Sequence, residues 1–463
     1  MTGRINAVLI GAGQRGAEAF APYALQYPDR LHFVAVAEPD PTRLSAFAEQ
    51  HHIPVQNRFE SWEALLDKPA MGEAALVCTP DRLHTAPTLA ALQAGYHVLL
   101  EKPMAPTPGE CRALIERAAS CERQLHVAHV LRYTRHFNRM REILRSGELG
   151  EIVNISHREN VSWWHMAHSY VRGNWANSAQ SNPMILAKCC HDFDILIWML
   201  ERECLRLSSF GSLAHFRPEK APPGVPDYCM DSCPLSDTCP YYAPFLYVDL
   251  LPFWRSFAAS APPPLGMLAR MQEKALGLVK LFSHPAPILR QAVDYRGWPR
   301  SVVAQPPTPE NLLEALKQGP YGRCVYRCGN DVVDNQVVAM QFEGDLIVTL
   351  TMHGHSHIEG RTTRIEGSLG SLRAFFGIGG SWIEVSQHRS DRRVRYDTSA
   401  PLGVGHGGGD QALLEAFLSS VAGEGRQALS LAEQALESHL LAFAAETARL
   451  EGRVVEMRQF RVN

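Results

Sequence analysis

The chain opens with short, wholly apolar runs separated by stretches of helical spacing. Ile5 to Ile10 is one such run, His32 to Ala37 a second, the segment ending in Cys78-Thr79-Pro80 a third, His97 to Leu100 a fourth and Leu125 to Val130 a fifth. Strands covered on both faces read this way, because neither row of side chains meets water. Helices are predicted between them over Ala17 to Tyr27, Pro41 to Gln50, Ser61 to Asp67, His84 to Tyr96 and Glu110 to Arg123. A last helix runs from about His136 to Arg145, before the turn Ser146-Gly147-Glu148-Leu149-Gly150. Such alternation builds a parallel sheet with right-handed crossovers. The fold class is therefore α/β, with residues 1–150 expected to form a doubly wound, Rossmann-type domain.

Beyond Gly150 the period shortens to two. Glu151 to Glu159 alternates as a strand, and Asp331 to Glu343 with Leu346 to Met352 predict a hairpin around Gly344-Asp345. Thr363 to Glu366, Leu372 to Phe376 and Trp382 to Ser386 extend a mostly antiparallel sheet with one covered face. Helices are expected over Asn182 to Leu200, over Gln411 to Val421 with Asp410 as its amino-terminal cap, and over Leu429 to Glu451. Residues 151–463 thus read as an α+β domain, interrupted at about 216–330 by a proline- and cysteine-rich insertion. Within the insertion, Leu265 to Phe282 has the spacing of an amphipathic helix that covers the core or a neighbouring subunit.

At 463 residues the chain exceeds what one hydrophobic core supports, in keeping with two domains. A formal net charge of −3 gives no electrostatic reason to bind nucleic acid or an anionic membrane. No apolar run approaches the ~20 residues that span a bilayer. The first apolar run passes directly into a glycine turn and not a cleavage site, so a cytoplasmic protein is expected. Eleven cysteines, an odd number without a secretion signal, argue against a disulfide framework.

The chemistry begins at Gly11-Ala12-Gly13-Gln14-Arg15-Gly16, between a predicted strand and helix. Gly11 permits the turn, Gly13 leaves room for a pyrophosphate, and Gly16 lets helix and strand pack closely. The helix amino terminus offers free N–H groups to the same phosphates. Glu38 ends the second strand, where an acid holds a ribose hydroxyl and repels a 2′-phosphate, favouring NAD; Arg43 keeps NADP open. Glu101-Lys102-Pro103 lies at the carboxyl end of a strand, where open sheets bind ligands. A cation there stabilises the charge that develops on an oxygen as hydride leaves its carbon.

The motifs G-A-G-Q-R-G, C-T-P-D-R-L-H, A-G-Y-H-V-L-L-E-K-P and the later H-D-F-D, in this order, resemble those of the Gfo/Idh/MocA family of sugar and cyclitol oxidoreductases. The resemblance implies a nucleotide-binding domain followed by one that covers the nicotinamide, holds substrate and forms homodimers or homotetramers. It places Gly11, Gly13, Gln14, Arg15, Gly16, Glu38, Thr79, Pro80, His84, Glu101 and Lys102 at the cofactor, and implies a cis Lys102-Pro103 bond. It also makes Lys102 and His191 the catalytic pair.

Residues three apart on a helix share a face, so Lys188, His191 and Asp194 are expected in line, with Asp194 orienting the imidazole. The family motif usually carries an aspartate where this chain has Ala187. The neighbouring Lys188 suggests a substrate with a carboxylate or another electron-rich group. Trp163 to Trp175 is dense in aromatics and donors, and His165, His168, Arg172 and Trp175 are candidates for holding a sugar, whose ring has apolar faces and polar edges. Cys229, Cys233 and Cys239, with Cys324 or alternatively Cys328, suggest a tetrahedral structural zinc. His353, His355 and His357 alternate on a strand as weaker metal candidates. His406-Gly407-Gly408-Gly409-Asp410 allows close backbone approach to a ligand or partner.

The leading expectation is hydride transfer between NAD and a ring hydroxyl or ketone of a carbohydrate. A redox-neutral glycosidase or lyase that oxidises its sugar transiently, and a cofactor-binding sensor without turnover, are the rivals.

Overall fold

The computed structural model describes residues 3–260, 295–377, 379–401, 405–424 and 431–462. The helix expected at Leu265 to Phe282 lies outside these residues. Six parallel strands, β1 (Ile5–Ile10), β2 (Leu31–Ala37), β3 (Arg58–Phe59), β4 (Ala74–Val77), β5 (His97–Leu100) and β6 (Leu125–Val127), pair in the order β3-β2-β1-β4-β5-β6. The order reverses between β1 and β4, the point at which open sheets of this kind bind ligands beyond the carboxyl ends of their strands. The four residues of β4 are all buried, as helices on both faces require.

The second sheet has nine strands: β7 (Ile152–Ser162), β8 (Cys204–Ser212), β9 (Asn335–Phe342), β10 (Ile347–Ser356), β11 (Gly360–Gly367), β12 (Gly370–Gly377), β13 (Gly380–Gln387), β14 (Arg393–Asp397) and β15 (Val455–Glu456). Their order is β14-β13-β12-β11-β7-β10-β9-β8-β15. Only β7 and β10 run parallel; the other pairs are antiparallel. The helix Cys190–Leu200 covers one face, and the helix Ala432–Glu451 packs on it and reaches back to β6.

Three predicted helices differ in ways that matter. The segment after the glycine loop is a π-helical turn, Gln14–Phe20, followed by a separate helix, Pro22–Gln26, because Pro22 lacks the N–H that would continue the first. Asn182 to Leu200 breaks into Met184–Ala187 and Cys190–Leu200. Lys188 therefore does not share a helical face with His191 and Asp194. The helix predicted from Gln411 begins at Gly409 and is capped by Gly408 in the left-handed region, so Asp410 lies in its first turn and is not the cap.

Several histidines are buried as neutral rings. Burial lowers His126 and His439 to about 4 and His136 to about 3. Their native values lie below the ordinary 6.5, so the unfolded chain takes up protons first as pH falls, and stability drains away between about pH 6.5 and 4. Melting followed across that window should show a falling Tm, with part of the slope removed in His126→Leu. A Tm that stays flat to pH 4 contradicts this.

Candidate active site

The glycine loop leaves space where a phosphate would lie and nowhere else. Gly11 has φ +95°, and a Cβ there would stand 2.7 Å from the Cys78 carbonyl oxygen. At Gly16 a Cβ would stand 2.3 Å from the Gly11 oxygen, whereas Gly13 faces open space. Glu38 pins the loop from the end of β2: its carboxylate accepts from the Ala12 amide at 2.8 Å and the Asp40 amide at 3.1 Å, and pairs with Arg43 at 2.9 Å. Gln14 is exposed at the loop's rim. The residues present thus fit a dinucleotide.

Arg15 and Glu101, both expected at the cofactor, hold each other: Arg15 Nε donates to Glu101 at 2.6 Å, and its Nη2 to Asp410 at 2.7 Å. Burial works against the guanidinium charge, but the two carboxylates more than offset it and Arg15 stays a cation. His406, which also pairs with Asp410 at 2.8 Å, completes the network. It has φ 45°, strained for a side-chain-bearing residue, in a run with Gly407 and Gly408. The glycine-rich segment thereby closes on the cofactor loop.

β5 delivers Glu101-Lys102-Pro103, whose Lys102-Pro103 bond is cis. Lys102 Nζ donates to the Ala187 carbonyl at 2.9 Å, which carries the ammonium across to the second half of the chain. Two histidines hold this loop from beneath. His84 is wedged between the Pro103 carbonyl, 2.7 Å from Nδ1, and the Thr79 carbonyl, 2.9 Å from Nε2. It is only 1% exposed and supports the crevice without lining it. Thr79 turns its hydroxyl to the Leu83 carbonyl, and Pro80 leads into the next turn. His439, from the Ala432–Glu451 helix, accepts the Met104 amide on Nε2 at 2.8 Å while Nδ1 faces the Ala435 carbonyl at 2.9 Å.

His191 sits in the first turn of its helix. Burial, and then the positive charge of Lys102, hold its imidazole well below the usual range, so the ring is neutral and able to take a proton. Its buried Nδ1 has no hydrogen-bond partner among the described residues. Asp194 does not supply one: it makes a bidentate pair with Arg132 at 2.7 and 2.6 Å. The sequence-based assignment of Asp194 as the orienting acid is corrected accordingly.

Lys188 turns instead toward the second sheet, 3.4 Å from Glu159 and 3.7 Å from Glu359. Glu359 also accepts from His165 at 2.9 Å and the Ser162 amide at 2.6 Å. Arg361 joins Glu159 at 2.7 Å to Asp192 at 2.7 Å, and His157 meets Asp192 at 2.8 Å. Burial pushes the Glu159 carboxyl up, with Arg361 and Lys188 offsetting part of that. In Asp192 the same penalty is outweighed by Arg361 and His157, and its carboxyl falls to about 2. This alternating-charge layer was missed in the sequence. The alternation of His157 and Glu159 along β7 was a usable signal, but their cross-strand partners, Thr363 and Arg361, depend on register that no local pattern shows.

The aromatic segment divides. His165 faces the charged layer, and Trp175 Nε1 donates to Asp81 at 3.0 Å beside β4. His168 and Arg172 are sealed against the insertion: His168 bonds the Tyr247 hydroxyl at 3.2 Å, and Arg172 donates to the Arg323 and Tyr241 carbonyls, each at 2.8 Å. These two do not reach the site. Cys229, Cys233, Cys239 and Cys324 share the wall of one small cavity with Arg172, and none of the eleven cysteines is in a disulfide. Cys328 turns to the Cys324 carbonyl at 3.2 Å. Among the described residues no three histidine, cysteine or acidic side chains are gathered to hold a metal, so the expected zinc shell is not assembled. The buried Arg172 cation projecting at Cys229, 3.5 Å away, opposes a metal there. His353 instead meets Asn160 at 3.1 Å and His355 lies 3.5 Å from Asp334, while His357 falls beyond β10.

Both halves of the chain match known protein families. Residues 5–129 match a model described as an oxidoreductase family, NAD-binding Rossmann fold, and residues 137–231 match the GFO/IDH/MocA C-terminal domain. Inositol 2-dehydrogenase of Corynebacterium glutamicum is 26% identical over 209 residues, 43% of this chain and 55% of that protein. D-glucoside 3-dehydrogenase of Escherichia coli is 32% identical over 153 residues, 32% of this chain and 41% of that one. The chain thus spans about half the length of the curated relatives it matches. An inositol dehydrogenase homolog from Azotobacter vinelandii, solved with NAD+, superposes with a TM-score of 0.65 at 16% identity, covering 98% of each chain. That likeness is one of fold.

The three glycines make separable predictions. Gly16→Ala should lower Tm and weaken NADH binding together, since its Cβ meets backbone. Gly13→Ala should keep the wild-type Tm and lose NADH binding at least tenfold, read by NADH fluorescence titration. Equal Tm losses for both variants contradict the assignment.

Proposed function

The chain belongs to the Gfo/Idh/MocA oxidoreductase family, and from that premise we propose that it is an NAD-dependent dehydrogenase acting on a ring hydroxyl or ketone of a neutral sugar or cyclitol. The observation that carries this reading is the meeting of Lys102 and His191: the ammonium donates to the carbonyl four residues before the imidazole and is the leading charge that lowers it. When bound, NAD supplies the hydride acceptor at its nicotinamide. Lys102 then polarises the reacting oxygen, and His191 takes the hydroxyl proton on the ring nitrogen facing the crevice. Glu38, with its buried carboxylate and its partner Arg43 already engaged, favours NAD over NADP.

The charged layer argues for the substrate class. Lys188 and Arg361, the cations that a substrate acid would seek, are each held by two carboxylates. A uronate would have to displace them. Paired acids and bases at an edge suit hydroxyl groups, which both donate and accept. The carboxylate expected from Lys188 in the sequence is therefore replaced by a neutral polyol. Both inositol and glucosides, named for the two curated relatives, are of this class.

We also place the chain in the cytoplasm as a homo-oligomer. Its free thiols suit a reducing compartment, and no described helix is long and apolar enough to cross a membrane. Phe210 and Val337, paired across β8 and β9, are 71% and 37% exposed, which gives the second sheet an apolar outer patch.

Incubation with NAD and a panel of inositols, methyl glycosides and uronates should give NADH with the neutral members and little with the acids. Lys102→Ala should lower kcat by roughly a hundredfold or more with NADH affinity retained. Because His191 must be neutral to act and its value is depressed, kcat/KM for oxidation should hold below pH 6.5. Glu359→Gln should shift selectivity toward uronates by releasing Lys188 from one of its two carboxylates. Glycoside cleavage without NADH accumulation would support the redox-neutral rival, and turnover unaffected by Lys102→Ala would remove the catalytic assignment.

A further inference from the structure

His129 is a polar group that the assignments above leave without a task. It follows β6, has no exposed surface, and neither of its ring nitrogens has a hydrogen-bond partner among the described residues. A leucine would fill such a position without leaving polar atoms unpaired. Three groups face it. Its Nε2 lies 3.6 Å from Asp194, and its ring stands edge to face with His191 at 5.6 Å and with His439 at 5.5 Å between centroids. Arg132 and Lys102 are the other charges near it.

These neighbours narrow the choice. His439 has no nitrogen to spare, since one accepts the Met104 amide and the other faces the Ala435 carbonyl. Asp194 is held in place by Arg132 and presents one oxygen toward His129. His191 alone carries a matching deficit, a buried Nδ1 without a partner. A centroid separation of 5.6 Å is a few tenths of an ångström beyond the roughly 5.2 Å at which two imidazoles share one edge-on hydrogen bond, so a turn of the rings about their Cβ–Cγ bonds with a small approach completes the contact.

We propose that His129 is a positioning residue that connects Asp194 to His191. Protonated on Nε2 toward the carboxylate, it offers Nδ1 to the Nδ1–H of His191 and so fixes the tautomer in which His191 Nε2 is free. When His191 Nε2 receives the hydroxyl proton, the ring becomes a cation and keeps its Nδ1–H on His129, whose Nε2–H stays on Asp194. No proton leaves the chain; the new positive charge is balanced through two hydrogen bonds by the Asp194 carboxylate. This is the logic of a base oriented by a buried acid, with one more ring between them. It rests on the proposed acid/base role of His191 for its kinetic consequence only.

The test uses the full chain with 15N-labelled histidine, saturated with NAD. Two-bond nitrogen–proton spectra report which ring nitrogen carries the proton, with His129→Phe and His191→Gln assigning the signals. His129 is expected as the Nε2–H form and His191 as the Nδ1–H form, and His191 should move toward Nε2–H in His129→Phe. A wild-type His191 already in the Nε2–H form, or one unchanged in His129→Phe, overturns the proposal. If His129→Phe does not fold, the two wild-type tautomers decide it. With a polyol that the wild type oxidises, His129→Phe should lower kcat roughly tenfold with KM unchanged, and His129→Gln should recover part of the loss. A wild type that oxidises no polyol counts against the proposed function, while the spectra still decide the connection.

Discussion

The hydrogen bond from Lys102 Nζ to the Ala187 carbonyl is the contact on which the site depends, because it brings the end of the fifth strand of one sheet to the helical segment that covers the other. Neither half holds both Lys102 and His191. The parallel sheet supplies an ammonium at its carboxyl edge, and the second sheet supplies an imidazole three positions after a break in a helix. The acceptor is backbone, so it survives whatever side chain occupies position 187. An alanine there, where relatives are expected to carry an acid, leaves Lys102 anchored.

Charge is disposed around that contact in two layers. On the cofactor side, Arg15 is clamped between Glu101 and Asp410, so three distant segments of chain converge on one guanidinium. On the side of the second sheet, Lys188, Glu159, Glu359, Arg361 and Asp192 alternate in sign between the sheet and the helical segment that covers it. Buried charges of this kind persist only when each is paired, and removing one partner leaves the other stranded. The arrangement thus trades stability for a surface of fixed donors and acceptors. At His191, burial first and then the charge of Lys102 keep the imidazole uncharged.

Local pattern carried the architecture well. The apolar runs from Ile5 to Leu100 lie on β1, β2, β4 and β5, and the glycine loop and Lys102 could be placed because their chemistry resides in a single short segment. The hairpin at Gly344-Asp345 was equally plain. What escaped was whatever depends on a second segment. Asp194 shares a helical face with His191, yet its partner is Arg132, more than sixty residues away. Lys188 was misread because periodicity cannot see that the helix stops at Ala187 and resumes at Cys190. The cysteine spacing suggested a metal, but spacing says nothing of the guanidinium that shares the cavity. His439 and His129 had no signal at all, being single histidines whose roles come from packing.

The most direct measurement is a crystal structure of the chain with NAD bound. The nicotinamide is expected beyond the carboxyl ends of the strands with Lys102 and His191 on one side of its reactive carbon, and the pyrophosphate against Gly13. A nicotinamide turned away from both residues, or a dinucleotide bound elsewhere while the Gly13 space stays clear, would contradict it.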